Sequence, residues 1–253
     1  MKKRAIISLI VAAALILCGG VLIFWGLQSV NFDFSQETAK SYVVNDTFQS
    51  IDIETDTCDV VLVKNDKEFQ VVCPDSEKLS CAVIAEDGVL KISVVDIRHW
   101  TDWISVFTPK MQVTVYLPES RYEQLKINTN TGHITVPEDF SFTSAEVIAT
   151  TSDIDFSAAV ENLLTATVST GDVTVFGSSP DIMRITTTTG DVLLDNCSST
   201  EVNIKTTTGN VTGHFLCPMH FITDTSTGNV DVPSGQEGGQ CRITTTTGDI
   251  IFS

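Results

Sequence analysis

Basic residues are scarce in this sequence. Of its 15 Lys and Arg, three stand at positions 2–4; past residue 28 the remaining 12 face 32 Asp and Glu. A surface that acidic is expected to repel nucleic acid and anionic lipid or polymer, so nucleic acid is not expected as a partner. The plain consequence of the charge is solubility, and attraction of cations or a basic partner is the alternative. No C-x-x-C pair occurs among the seven cysteines, which leaves zinc-ribbon and thioredoxin-like chemistry without support. The four histidines (His99, His133, His214 and His220) form no motif. No catalytic, metal or cofactor residue is assigned, and the chain reads as a non-enzyme.

One stretch lacks charge altogether. Ala5 to Leu27 is 23 residues without Asp, Glu, Lys or Arg, and a bilayer is spanned by roughly 20 apolar residues in a helix. Lys2, Lys3 and Arg4 before it, and Asp33 and Glu37 after it, predict a cytoplasmic N-terminus and an extracytoplasmic remainder. Trp25 falls at the expected interface. A secretory h-region is shorter, about 7–15 residues, and no small-x-small cleavage site follows. Residues 1–28 are therefore expected to be an uncleaved single-pass anchor in the cell membrane. Residues 29–40, polar and mildly acidic, read as a stalk. Outside the membrane disulfides are allowed: Cys73 and Cys81 could close a hairpin. Cys58, Cys197, Cys217 and Cys241 suit small buried hydrophobes as well.

What the sequence has in abundance is one phrase. "RITTTTGDVLLD" starts at Arg184 and "RITTTTGDIIFS" at Arg242. Aligned on the glycine, the phrase recurs at Gly132, Gly171, Gly190, Gly209, Gly228 and Gly248, with Ser152 filling the place between the first two; each step is 19 or 20 residues. Fixed-period self-similarity signals a stacked array. Two residues after each position stand Ile134, Ile154, Val173, Val192, Val211, Val230 and Ile250. Five before stand Ile127, Val147, Ala166, Ile185, Ile204, Thr223 and Ile243. Residues two apart share a strand face, so these columns face inward. Asn130, Thr150, Ser169, Thr188, Thr207, Ser226 and Thr246 face outward.

The fold expected over 125–253 is a parallel β-solenoid with rungs of about 19 residues spaced about 4.8 Å apart. Gly supplies the positive φ of a corner, and Asp172, Asp191, Asn210, Asn229 and Asp249 suit the turn that follows. The Thr before each glycine predicts an inward ladder whose hydroxyls satisfy corner backbone groups. Cys197 and Cys217 would fall on adjacent rungs, within disulfide reach.

Residues 41–124 are β-rich without a clean period and read as an N-terminal cap with first, irregular rungs. "ETDTCDVVLV" is a decayed copy of the repeat with Cys58 at the glycine, and "EDGV" at 86–89 is a hairpin turn. Within "RHWTDWISVFTPK", Trp100, Trp103, Ile104 and Phe107 suit a short amphipathic helix, either a lid on the first rung or a contact with lipid or a partner. Ser253 falls in mid-rung, which predicts a last rung either open to another strand or covered by a loop.

"VTVYLPESRYEQLKINTNTGHITV", followed by repeated "TTTGDV" and "STGNVDV", resembles the DUF4097 family of bacterial adhesin-like β-strand-repeat proteins over roughly 45–253. The resemblance implies a β-solenoid with no catalytic residues. The expected function is a membrane-anchored extracytoplasmic interaction or adhesin-like module whose partner is a protein or an envelope component. The alternative is an envelope-stress or regulatory accessory protein acting on a membrane neighbour, which gene context would reveal. A lyase or hydrolase on such a coil needs carboxylates with Arg or Lys converging on one face, and the rungs after residue 126 hold only Arg184, Lys205 and Arg242. Ice binding by outward T-x-T pairs is disfavoured by Lys205 and Asp224, which interrupt the array.

Overall fold

The computed structural model describes residues 38–43, 47–65, 68–75, 79–97, 111–235 and 237–253. The expected anchor, most of the stalk, and Trp100, Trp103, Ile104 and Phe107 lie outside them. Among the described residues the structure is all β, in two long, mostly parallel sheets of eleven and ten strands. No helix there is long and apolar enough to cross a membrane.

The first seven strands are β1 (Thr38–Tyr42), β2 (Ser50–Thr55), β3 (Asp59–Lys64), β4 (Gln70–Asp75), β5 (Leu79–Glu86), β6 (Val89–Asp96) and β7 (Gln112–Leu117). Antiparallel pairing is confined to this region: β1 with β4, β4 with β7, and β5 with β6. β1 begins inside the expected stalk, and its residues 38–40 are paired to β4. The β5–β6 hairpin turns at Asp87 and Gly88, with φ of 53° and 75°, the two positive values a type I′ turn requires. Cys73 and Cys81 are disulfide-bonded but close no hairpin. Cys73 lies on β4 in the eleven-stranded sheet and Cys81 on β5 in the ten-stranded one, so the bond ties one sheet to the other.

From residue 121 the chain becomes regular. β8 (Arg121–Thr131), β10 (Ser141–Thr151), β12 (Ala159–Thr170), β14 (Ile182–Thr189) and β16 (Glu201–Lys205) stack parallel in the ten-stranded sheet. β9 (Ile134–Val136), β11 (Ile154–Phe156), β13 (Val173–Phe176), β15 (Val192–Cys197) and β17 (Val211–Phe215) stack in the other. The register is the one the period predicts: Ile127, Val147, Ala166, Ile185 and Ile204 lie side by side, as do Ile134, Ile154, Val173, Val192 and Val211. All ten are at most 2% exposed. Each buried Val or Ile contributes roughly 1.5–3 kcal/mol, so the columns between the sheets are the main source of cohesion. The arrangement is solenoid-like: each pair of strands is one rung, and each rung covers the one before.

At both ends the rungs leave chain order. The last four strands are β18 (Met219–Thr227), β19 (Val230–Asp231), β20 (Gly239–Thr247) and β21 (Ile250–Phe252). β16 is followed in space by β20 and then β18, and β17 by β21 and then β19. The later rung slips between two earlier ones, and the expected stacking of Gly228 on Gly209 is replaced by Gly248 on Gly209. The side chains explain the exchange. The 219–231 rung offers Thr223 where the others offer an apolar residue, and its Val230 is 45% exposed. The 239–252 rung offers Ile243 and Ile250, both 0% exposed. The more apolar rung takes the place with a neighbour on each side. The strand that ends at Phe252 is therefore interior, not an open edge; the edge strands are β18 and β19.

The N-terminal end does the same. β2 and β3 lie directly beside β8 and β9, with β6 and β7 outside them. Gly213, the one glycine in the second inward column, stands opposite Phe252 on the interleaved rung. A Cβ there would come within 3.0 Å of the Phe252 ring. Phe252 packs 5.3 Å from Phe215 and 5.2 Å from Phe221, centroid to centroid, which locks the exchanged rung to both of its neighbours.

Candidate interaction surface

Two repeated structures line the coil: a ladder at the turn and a row-and-column grid on the outer face. At the turn, the glycines at 132, 171, 190, 209, 228 and 248 have φ between 139° and 152°. A Cβ on Gly190 would lie 2.0 Å from the carbonyl oxygen of Gly171 on the adjacent rung, so any other residue would push the rungs apart. The rung beneath each glycine is less demanding. Cys58 and Ser152 present their carbonyls to Gly132 and Gly171 in the same way, which places both at the glycine position.

The next residue builds a ladder. Asp153 Oδ1 accepts the backbone N–H of Asp172 at 2.9 Å, and Asp172 Oδ1 that of Asp191 at 2.7 Å. Asp191 serves Asn210 at 2.6 Å, Asn210 serves Asp249 at 2.9 Å, and Asp249 serves Asn229 at 2.7 Å. Asp59 serves His133 likewise at 2.8 Å. The short Asp or Asn side chain thus satisfies a corner N–H one rung away, a group the parallel ladder does not reach. Asp59, His133 and Asp153 belong to this ladder although the phrase at their positions is degenerate. Rung exchange also changes its charge pattern. In chain order Asn210 and Asn229 are consecutive; in space Asn210 separates Asp191 from Asp249, so no two carboxylates adjoin beyond Asp191.

The threonine ladder exists, one column away from the expected place. The Thr immediately before each glycine, such as Thr131, Thr189 and Thr247, is exposed. The buried ones stand two residues earlier in the phrase: Thr129, Thr187, Thr206 and Thr245, at 1–3% exposure. The strands run two residues further, to Thr131, Thr189 and Thr247, but the inward–outward alternation lapses as the chain nears the corner, and the last Thr is exposed. Thr187, Thr225 and Thr245 donate to the carbonyls of Gly171, Gly248 and Gly209 at 3.5, 3.2 and 3.4 Å.

The free thiols are packing groups. Burial pushes Cys197 up to about 11 and Cys241 up to about 12, because a thiolate would be desolvated there. Burial likewise raises the Tyr122 phenol to about 12. Cys197 and Cys217 are not bonded to each other; the Cys217 sulfur accepts from Ser198 Oγ at 3.3 Å.

On the outer face of the ten-stranded sheet, register places exposed residues in rows across strands. Arg184, Asn203 and Arg242 form one row on β14, β16 and β20; Thr186, Lys205 and the half-buried Thr244 form the next. Thr188 and Thr246 follow on β14 and β20, and Thr207 stands two residues past the end of β16. The model of the Toastrack DUF4097 family matches residues 48–253.

The chain belongs to the Toastrack DUF4097 family. A solved structure of a "putative adhesin" from Bacteroides fragilis is 14% identical to this Toastrack chain. It covers 87% of the chain and 98% of its own length, with a TM-score of 0.50; the likeness is one of fold. A "putative adhesin" from Parabacteroides merdae is 13% identical, covering 85% of this chain and 97% of that one, with a TM-score of 0.45. A "putative cell adhesion protein" from Clostridium sporogenes is 13% identical, covering 86% and 99%, with a TM-score of 0.36. No curated protein matches the sequence. In this Toastrack chain the grid, the turn ladder and the glycine column are all read from its own residues.

Proposed function

We propose that this Toastrack chain is a non-enzymatic interaction module, held by a single-pass N-terminal anchor and displayed outside the cytoplasmic membrane. The observation that carries the reading is the outer face of the ten-stranded sheet. Its exposed side chains are rooted in fixed rows on a backbone held by buried columns on one side, so their spacing is set in advance of any contact. A backbone that need not order on binding spares that part of the entropy cost. The uncharged Ala5–Leu27, with Lys2, Lys3 and Arg4 before it, supports the anchored orientation, and the acidic balance past residue 28 keeps the displayed part soluble.

Two measurements test this. A protease that does not cross membranes, applied to intact cells, should remove the region after residue 40; survival of that region until the cells are lysed would end the extracytoplasmic reading. The full chain in detergent micelles should retain isolated cell-envelope material saturably, and lose it on thermal unfolding. Release of new reducing ends from that material, abolished by substituting a carboxylate of the coil, would replace the module with an enzyme.

A further inference from the structure

We propose that the outer face of β14, β16 and β20 is a binding site for a carboxylate-bearing polysaccharide; this rests on the interaction-module reading and names its ligand. The three basic residues of the coil past residue 126 are Arg184, Lys205 and Arg242. In sequence they are scattered over 58 residues. In space they occupy three adjacent strands, because rung exchange seats β20 directly against β16.

Arg184 and Arg242 flank Asn203 in one row, and Lys205 stands two residues along the middle strand, between Thr186 and Thr244. Strand spacing puts the two arginine Cα atoms about 10 Å apart, with Lys205 centred between them. All three basic side chains are exposed, and among the described residues none is within ion-pair distance of a carboxylate. The nearest carboxylates in the register are Glu201, two residues from Asn203, and Asp224, beside Thr244. Had the rungs kept chain order, β18 would lie against β16. Asp224 would then adjoin Lys205, and Arg242 would be a strand further away. The fold separates the acid from the base and gathers the cations, on a chain whose formal net charge is -17.

The chemistry of the grid selects its ligand. Two guanidinium forks accept planar carboxylates bidentately, and an ammonium between them adds a point charge. Thr186, Thr188, Thr207, Thr244, Thr246 and Asn203 offer hydroxyl and amide groups for sugar hydroxyls. The grid has no aromatic ring on which bases would stack, which single-stranded nucleic acid sites use. The apolar residues that border it, Ile182 on β14 and Ile222 beside Arg242, are half-buried and offer no protruding apolar face for a lipid surface. On this otherwise acidic surface binding must be confined to the local positive patch, which the spaced carboxylates of a polysaccharide segment allow and the dense phosphates of a nucleic acid duplex do not.

Binding of polygalacturonate to the full chain in detergent micelles tests the site by calorimetry. The unmodified chain should bind at low salt and weaken as salt rises from about 0.05 to 0.3 M, with no binding of neutral dextran. Arg184→Gln and Arg242→Gln should each weaken binding about tenfold, the size of one charge-assisted contact. Glu201→Gln should strengthen it. Lys126→Gln, in the same sheet between Asp52 and Glu146, should change nothing. Undiminished binding by the triple Arg184→Gln, Lys205→Gln, Arg242→Gln variant would overturn the site. So would equal binding of dextran, preference for polyphosphate or single-stranded DNA, or no binding of polygalacturonate at low salt. Such a result leaves the module reading to the envelope-retention experiment, which does not depend on these three residues.

Discussion

The middle of the coil and its ends are built from the same phrase by different rules. Between β8 and β17, sequence neighbours are spatial neighbours, and every rung lies on the one made just before it. At each end the order is exchanged, and a rung made at another time fills the gap. The periodic signal specifies which residues face inward and how the turn is closed; it is the same in every rung, so it does not say which rung sits beside which. That choice falls to what departs from the period: Thr223 leaves its rung less apolar than the rung that carries Ile243, Ile250 and Phe252, and the more apolar rung takes the covered place.

The sharpest way to break the comparison is at the glycine column, where centre and end obey one rule. Gly190→Ala in the centre and Gly248→Ala in the exchanged rung should each cost on the order of 4 kcal/mol, since both combine a positive φ with a carbonyl in the way. Gly235→Ala, whose Cβ would meet nothing within 4 Å, should cost about 1 kcal/mol for its φ alone. Urea denaturation reads all three, and equal losses would contradict the close approach of the rungs.

Ile250→Ala and Val230→Ala probe the exchange itself. The two residues hold the same place in the phrase. The first should cost about 3 kcal/mol and the second under about 0.5 kcal/mol. Chain-order stacking would reverse the ranking. At the other end, replacing Cys73 and Cys81 by Ala together removes the tie between the sheets and should cost about 2 kcal/mol by unfolding under oxidising conditions.

A smaller effect tests the alternation of charge. Asn210→Asp would join Asp249 to the run Asp153, Asp172 and Asp191, making five consecutive carboxylates; it should cost about 1 kcal/mol at low salt and less at high salt. Asn229→Asp, at the outer end of the ladder, should cost less. The smallest effect is kinetic. Past residue 28, Cys217 should be alkylated first in the folded protein, with Cys197 and Cys241 slower because burial holds them protonated. Their folded values lie above the ordinary thiol value of 9.0, so the unfolded chain ionises first. Their contribution to stability is whole below pH 9 and is lost as pH climbs toward 11–12. A urea midpoint that rises over that window would contradict their burial.

Much of the fold was legible because stacking makes each rung a statistical sample of the others. Ile127 through Ile204 and Ile134 through Val211 are read correctly from spacing alone, and Cys58 and Ser152 are placed at the turn without a glycine. The inward threonine was misplaced by two residues, because period-2 alternation was carried into the corner, where φ at the glycine ends it. The basic grid was not legible: Arg242 meets Asn203 only through the exchange, and the repeated phrase itself is the same in every rung. The polar Thr223 in an otherwise apolar column was the one signal for it.

The interleaved end also sets a timetable. Residues 219–231 are translated before 239–252, yet β18 pairs with β20 and β19 with β21, and among the described strands with no others. A nascent chain that has reached Asp231 therefore carries a segment whose final neighbours, β20 and β21, are not yet made. Rung-by-rung growth behind the ribosome stalls there, and the last two turns must close together as one event.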